Sequence, residues 1–247
     1  MSRLKLNFLL FILIATLTSG CISTKKVERS FSYYRPIIDF SLDSEIKLSK
    51  LPFSVVINKV RMDSLVRQKT SVTKKSGWLI PLVVVNVWKS KKICYQGLSS
   101  YYTPVESSYL HYLKAESRRS GVFQLDSLDA DYEVEIIIKK IEAYGPYKDF
   151  GFSIFINPLS AIIYEGTAGP ALAEFVAVYQ LKKNGAIIRE ETFESNSKVN
   201  FIHYDDQDRK DILKSYSTRM AEATSLNIKT VIEAMVVDLN SYFRNLN

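Results

Sequence analysis

An Asn-Gly pair between two alternating runs is the sequence feature that most constrains how this 247-residue chain folds. Apolar and polar residues alternate on both sides of Asn184-Gly185, over residues 174–183 and 186–193. Such a pair is the strongest short signal for a tight antiparallel hairpin, because its turn needs positive φ at both central residues. The same alternation over residues 53–62 and 131–144 predicts two further strands, each with one buried face.

Two more apolar stretches show no simple alternation. Residues 78–88 are dense in β-branched side chains, which favours a strand buried on both faces, with a membrane-dipping loop as the alternative. The polar segment 63–77 before them is predicted to be a loop. Residues 150–170 are too apolar for a solvated loop, so we predict an insertion packed over the sheet. The functional alternative for that segment is a lid or an exposed patch that binds a partner or lipid.

Two segments carry helix signals. Thr103-Pro104-Val105-Glu106 combines an N-cap, a proline suited to the first helical position and a capping-box glutamate, so a helix is predicted from there to Gly121. Near the C-terminus, apolar residues recur at three- and four-residue spacing over residues 216–243. The predicted fold is therefore α+β: a single domain over residues 51–247, in which the capped helix and a long C-terminal helix pack on one face of an antiparallel or mixed sheet.

Residues 1–20 have the composition of a secretory signal peptide. Arg3 and Lys5 precede an apolar run over residues 8–17, and small residues follow it. The run is too short to cross a bilayer comfortably as a helix, which takes ~20 residues. This pattern predicts export from the cytoplasm.

Residues 17–21, Leu-Thr-Ser-Gly-Cys, resemble the lipobox of bacterial lipoproteins, although Thr18 takes the place of the usual aliphatic residue. The resemblance implies cleavage before Cys21 and acylation of its thiol and new amino group, with three chains in all. Two or more such chains anchor a protein stably to a membrane. Ile22 stands where an aspartate would signal inner-membrane retention, which favours the outer membrane. Residues 21–50 are predicted to be the acylated cysteine and a tether. The alternative is an ordinary secretory signal that is cut near a cysteine.

The cysteine count and the net charge limit which cross-links and which binding partners the chain can have. Cys21 and Cys94 are the only cysteines, too few for a disulfide scaffold, so Cys94 is interpreted as a small buried hydrophobe, with a reactive thiol as the alternative. The formal net charge of +7 falls to +5 when Arg3 and Lys5 leave with the signal. The basic residues are scattered, which predicts at most weak attraction to a membrane surface, and export argues against nucleic acid as a partner.

Motifs for catalysis and metal binding are missing from the sequence. His111 and His203 are its only histidines, and no paired Cys or His spacing suits zinc. Neither a Gly-x-Ser-x-Gly nucleophile elbow nor a phosphate-binding Gly-Lys-Ser/Thr loop occurs. Residues 205–208 are acidic, but the basic residues after them favour a solvated helix start over a calcium loop. Glu133 and Glu135 share one strand face and are the remaining candidates for an acid–base pair. We expect no enzyme, no cofactor and no metal.

The order of predicted elements after a lipobox resembles that of small periplasmic lipoproteins, such as auxiliary lipoproteins of ABC-type lipid transporters, activators of peptidoglycan synthases and the curli-secretion lipoprotein. The resemblance implies a non-enzymatic accessory module in envelope transport or assembly, with an envelope protein as partner. The alternative is a lipoprotein that binds lipid or a small ligand in an apolar pocket between sheet and helix. An envelope hydrolase is the third hypothesis. The candidate contacts to a partner or lipid are Trp78, Trp88, Phe152, Phe155 and Ile163.

Overall fold

The computed structural model describes residues 24–42, 53–81, 85–120, 130–156, 159–200, 202–204 and 209–246. Within these ranges the chain forms three α-helices, eight strands and a short 3-10 helix at Leu98–Ser100. The elements run in the order α1 (Thr24–Tyr33), β1 (Val55–Met62), β2 (Ser71–Pro81), β3 (Val85–Gln96), α2 (Val105–Ser120), β4 (Tyr132–Ile156), β5 (Leu159–Ala168), β6 (Ala171–Lys183), β7 (Ala186–Val199), β8 (Ile202–Tyr204) and α3 (Arg209–Arg244).

The 25-residue strand β4 is the axis of one mixed sheet. Its first half pairs with β1 on one side and β6 on the other, and its second half pairs with β3 and β5. Strand β2 lies outside β3, β7 outside β6 and β8 outside β5. The β1–β4 pairing is parallel, and the other pairings of the described strands are antiparallel. Strands β5 and β6 follow one another along the same edge of β4, because β5 pairs with its second half and β6 with its first half.

The helices pack on one face of this sheet, called the helix-bearing face. Helix α3 lies across β4, β5, β6 and β7, while α2 packs on β1 and α1 on β2 and β3. Two buried clusters result. In the first, Tyr109 of α2 and Met235 of α3 are buried with Phe175 of β6. In the second, Phe31 of α1 is buried with Tyr147 of β4 and Tyr216 of α3.

The structure confirms the predicted α+β class, with the long C-terminal helix packed on the sheet. The predicted hairpin is also present: Asn184 and Gly185 join β6 to β7 with φ of 51° and 77°. Helix α2 begins directly after Pro104, as its capping sequence predicts. The C-terminal stripe becomes one 36-residue helix, with both Met220 and Met235 buried as core residues.

The prediction of one doubly buried strand over residues 78–88 is wrong. The stretch belongs to two antiparallel strands, β2 and β3, in which Leu79 stands opposite Trp88. Strand β2 begins at Ser71, inside the segment predicted as a loop. The polar residues of that segment mislead because β2 is an outer strand of the sheet, so its exposed lysines and serines carry no information about a loop.

The predicted insertion over residues 150–170 is also wrong. These residues continue β4 to Ile156 and form β5, so they extend the sheet rather than cover it. Their alternation is hard to recognise because the positions on one face are small, among them Gly151, Ser153 and Gly166. Bulky residues then dominate the sequence of the segment without marking which face is buried.

Residues 24–42 do not form the predicted tether. They include α1, whose Val27 and Phe31 are completely buried, and Ile38 joins the core around α2. The signal in the sequence is a single apolar pair at i and i+4 within a polar stretch, which defines one narrow buried stripe. Cys21 lies outside the described residues.

Candidate contact surface

The face of the sheet opposite the helices, called the open face, carries a group of large apolar side chains. We define the open-face patch as Trp78, Ile80, Phe150, Phe152 and Ile163. Trp78 is 45% exposed, Ile80 49% and Ile163 58%. Phe150 is 41% exposed and Phe152 is half-buried. These side chains come from β2, β4 and β5, which β3 joins into one continuous surface.

Strand register arranges this surface in rows, because residues directly opposite each other in neighbouring strands project from the same face. Three rows span all four strands from β2 to β5, and the one nearest the strand ends is apolar and consists of Ile80, Val87, Phe152 and Ile163. The next row is mixed and consists of Trp78, Lys89, Phe150 and Glu165. The third row is polar and basic and consists of Ser76, Lys91, Lys148 and Thr167.

The mixed and basic rows line a shallow concavity with a volume of about 650 Å³. Gly77 contributes to its wall, and a Cβ there would lie 2.8 Å from the carbonyl oxygen of Lys89. Among the twelve residues of the three rows, three are lysines and one, Glu165, is a carboxylate. The patch is therefore an apolar surface that grades into an excess of positive charge.

Three of the predicted contact residues, Trp78, Phe152 and Ile163, lie within this surface and one, Trp88, does not. Phe152 and Ile163 are neighbours in the apolar row, next to the mixed row that holds Trp78. Trp88 is on the helix-bearing face and only 9% exposed, with its indole ring over Gly151, where a Cβ would overlap it. The prediction of Trp88 as a contact residue is wrong, because successive positions in β3 alternate between faces. The side chain of Phe155 lies outside the described part.

The other half of the open face is occupied by ion pairs. Glu135 receives a hydrogen bond from Arg61 Nε at 2.6 Å and one from Lys182 Nζ at 2.7 Å. These bonds lower the pKa of Glu135 below its usual value, and the bond from Lys182 has the larger effect. A carboxylate held ionised by two cations is a poor proton donor near neutral pH, so the pair Glu133 and Glu135 gains no support as acid–base residues. Lys140 is paired in the same way with Glu174, at 2.6 Å.

A polar cluster lies directly behind the mixed row, on the helix-bearing face. Lys92 Nζ is 2.8 Å from Asp149 Oδ1, and both side chains are almost fully buried. Ser90 donates a hydrogen bond to the same carboxylate oxygen and accepts one from Lys92. Among the residues that the structure describes, the second oxygen of Asp149 has no hydrogen-bond partner. The cluster links β3 to β4 behind the patch. It was not predicted from the sequence, because a lysine within a strand is normally expected to be exposed to solvent.

Cys94 is completely buried in β3 as a free thiol, as predicted. Burial raises the pKa of its thiol to about 12. The thiolate that reacts with electrophiles and metals is then scarce, which argues against the reactive-thiol alternative. His111 is exposed on α2 with its ring against Tyr112.

No group of three or more His, Cys, Asp and Glu residues within the described ranges is placed to hold a metal ion. None of the helices described is both long and apolar enough to span a bilayer.

Comparison with solved structures gives three matching chains. The chain is similar to the crystal structure of protein XCC0632 from Xanthomonas campestris, assigned to family DUF330, with a TM-score of 0.48 and 10% sequence identity. The match covers 87% of this chain and 98% of that chain. Neither protein-family models nor curated proteins match the sequence. A likeness at this identity and TM-score carries no argument about function.

Proposed function

We propose that this protein is a membrane-anchored envelope lipoprotein, acylated at Cys21, that acts as a non-enzymatic contact module in transport or envelope assembly. The open-face patch is the observation that carries the proposal. Four of its five side chains are at least 41% exposed, and they lie on one face of the four neighbouring strands β2 to β5. Contiguous exposed apolar surface of this kind marks interaction sites more often than scattered apolar residues do.

The position of α1 supports anchoring close to the folded domain. Three residue steps separate Cys21 from Thr24, the first residue of α1, and they span at most about 11 Å. Helix α1 packs on β2 and β3, two of the strands that build the open-face patch. Acyl chains at Cys21 would therefore hold this half of the sheet close to the membrane. The outer membrane is the favoured location, because Ile22 is not an aspartate.

A crosslinking pull-down from intact cells tests this function. The wild-type protein is expected to capture a reproducible envelope protein, whereas Cys21→Ser, which removes the anchor, and Trp78→Asp, which disrupts the patch, capture less. Leu226→Asp is the matched control, because Leu226 is a 55% exposed apolar residue on α3, away from the patch. If the wild type captures no envelope protein, or if all three variants behave alike, the accessory function is wrong.

A second candidate, binding of a lipid or small ligand, is favoured by the concavity beside the patch. Its volume of about 650 Å³ lies within the range of small-molecule sites, and Trp78 and Phe150 offer aromatic surface beside three lysines. It lies on the open face, not between sheet and helix as the sequence suggested. Native mass spectrometry of the protein extracted in mild detergent distinguishes this candidate: a bound lipid that is lost in Phe150→Ala favours it, and a ligand-free protein contradicts it.

A further inference from the structure

We infer that the open-face patch docks onto the anionic headgroup layer of the membrane that holds the anchor. The inference rests on the proposed anchoring and goes further by naming the ligand of the patch. It places the ends of β2 to β5 at the lipid surface and orients the domain on the membrane.

The order of the rows fits a membrane interface. An apolar row lies nearest the strand ends, a row with Trp78 follows, and the basic row with Lys91 and Lys148 lies behind it. Tryptophan concentrates at the boundary between headgroups and hydrocarbon, because its ring is apolar and its N–H is polar. Lysines extend their charged ends into the headgroup layer while their methylene stems cover apolar surface.

Charge favours an anionic surface as the ligand. Within the rows, the lysines Lys89, Lys91 and Lys148 face one carboxylate. In the other half of the open face, Lys182 is paired with Glu135 and Lys140 with Glu174. The rows therefore carry an excess of positive charge beside the apolar patch. Each lysine held near an anionic leaflet strengthens binding roughly fivefold.

The reach of the anchor keeps the whole domain close to the membrane. The chain between Cys21 and α1 is too short to hold the domain far from the lipid, and α1 packs on β2 and β3, the strands whose opposite face carries part of the patch. A short anchor makes docking intramolecular, so even a weak surface interaction is populated.

The two tryptophans provide a direct readout, because Trp78 is exposed in the patch and Trp88 is buried on the opposite face. Trp88→Phe leaves Trp78 as the reporter, and Trp78→Phe leaves Trp88 as its control. The mature protein is extracted from cell membranes and reconstituted into vesicles with brominated acyl chains. One set contains phosphatidylcholine alone, and the other contains about one third phosphatidylglycerol.

We expect bromine to quench Trp78 more strongly in the anionic vesicles, and high salt to remove the difference. Trp88 should show the same quenching in both vesicle types. The combined variant Lys89→Glu, Lys91→Glu and Lys148→Glu should reduce the ratio of docked to undocked protein by about a hundredfold or more. The matched control replaces the exposed residues Lys69, Lys198 and Arg219 by Glu, with the same change in net charge, and should keep the quenching.

Quenching of Trp78 that is absent, independent of lipid charge, or lost equally in the control variant would overturn the docking inference and leave the patch to a protein partner. Flotation of the same vesicles reports anchoring separately. Protein that floats without docking retains the proposed function, whereas protein that stays at the bottom of the gradient contradicts the anchor itself. Unfolding midpoints by circular dichroism establish that the charge variants are folded.

Discussion

Lys92 and Asp149 show how one residue pair supports the contact surface from behind. Both side chains are almost fully buried, Lys92 in β3 and Asp149 in β4, and their salt bridge is supplemented by Ser90. Burying two charges is costly, so such a pair adds little net stability, but removing one partner leaves the other charge uncompensated. The pair therefore enforces the register of β3 and β4, and that register in turn aligns the rows of the open face.

Replacing one partner should be far more damaging than replacing an exposed lysine. Lys92→Met should lower the free energy of unfolding by about 3–5 kcal/mol, because Asp149 stays buried without its cation. Lys139→Met is the control, since Lys139 is 46% exposed in its bridge with Asp63 and losing an exposed ion pair costs far less. Urea denaturation measures both. Equal losses in the two variants would show that the buried pair is not structurally special.

Glu135 gives the protein a predictable acid sensitivity. Its pKa is lowered in the folded state, so the stability it contributes is present above the pKa of the unfolded chain and is lost as pH falls through the folded value. Its charge-assisted hydrogen bonds should contribute about 1–2 kcal/mol at neutral pH. Glu135→Gln should lose this amount near pH 7 and converge on the wild type under acidic conditions, in urea unfolding at several pH values. A constant difference at every pH contradicts the assignment, and the exposed Glu194→Gln serves as the control.

At the residue scale, burial was easier to predict from sequence than orientation. Cys94, Met220 and Met235 are buried as their apolar surroundings suggest. Trp88 was misassigned because a tryptophan at a strand end is compatible with either face, and only the strand register fixes which one. The burial of Lys92 was not predicted, because its partner Asp149 lies 57 residues further along the chain and no nearby residue indicates the pairing.

At the scale of elements, α1 determines how the proposed anchor at Cys21 would be connected to the domain. A free tether would let the domain move away from the membrane surface, whereas a docked helix would couple the position of Cys21 to the sheet. The contacts that dock it are specific: the Phe31 ring lies 6.1 Å from that of Tyr216, and Lys214 lies over the ring of Tyr34.

Neighbouring aromatics in α1 provide a matched test of this docking. Phe31 is fully buried and Tyr33 is 88% exposed. Phe31→Ala should lower the free energy of unfolding by about 3–5 kcal/mol, because it leaves a cavity in the core. Tyr33→Ala should change it by about 0.5 kcal/mol or less. Chemical denaturation of both variants measures the difference, and two equally mild effects would restore the free tether.

Sequence patterns predicted the elements with local signals and missed those defined by distant partners. The Asn184-Gly185 turn, the capping sequence before α2 and the stripe of α3 each lie within a few residues, and all three are confirmed. Strand β2 forms by pairing with β3, and β5 by pairing with β4. The sequences of β2 and β5 contain no local signal that predicts these pairings. A polar outer strand such as β2 is therefore predicted to be a loop when only its own sequence is considered.

At the scale of the whole molecule, the sheet separates two tasks. Its helix-bearing face holds both cores, and its open face presents the patch. The patch could not be predicted as a unit, because Trp78, Phe150 and Ile163 lie far apart in sequence and meet only through four strands in register. The individual apolar stretches were recognised, but their joint surface and its lysine border are properties of the fold.

Anchoring at Cys21 is the claim on which the proposed role and the docking of the patch both depend. The most direct test is the intact mass of the mature protein extracted from membranes, with fragmentation of its N-terminal peptide. We expect a chain that begins at Cys21 and carries the added mass of three acyl chains. A mature chain with an unmodified N-terminus, or one that begins at another residue, would contradict the account.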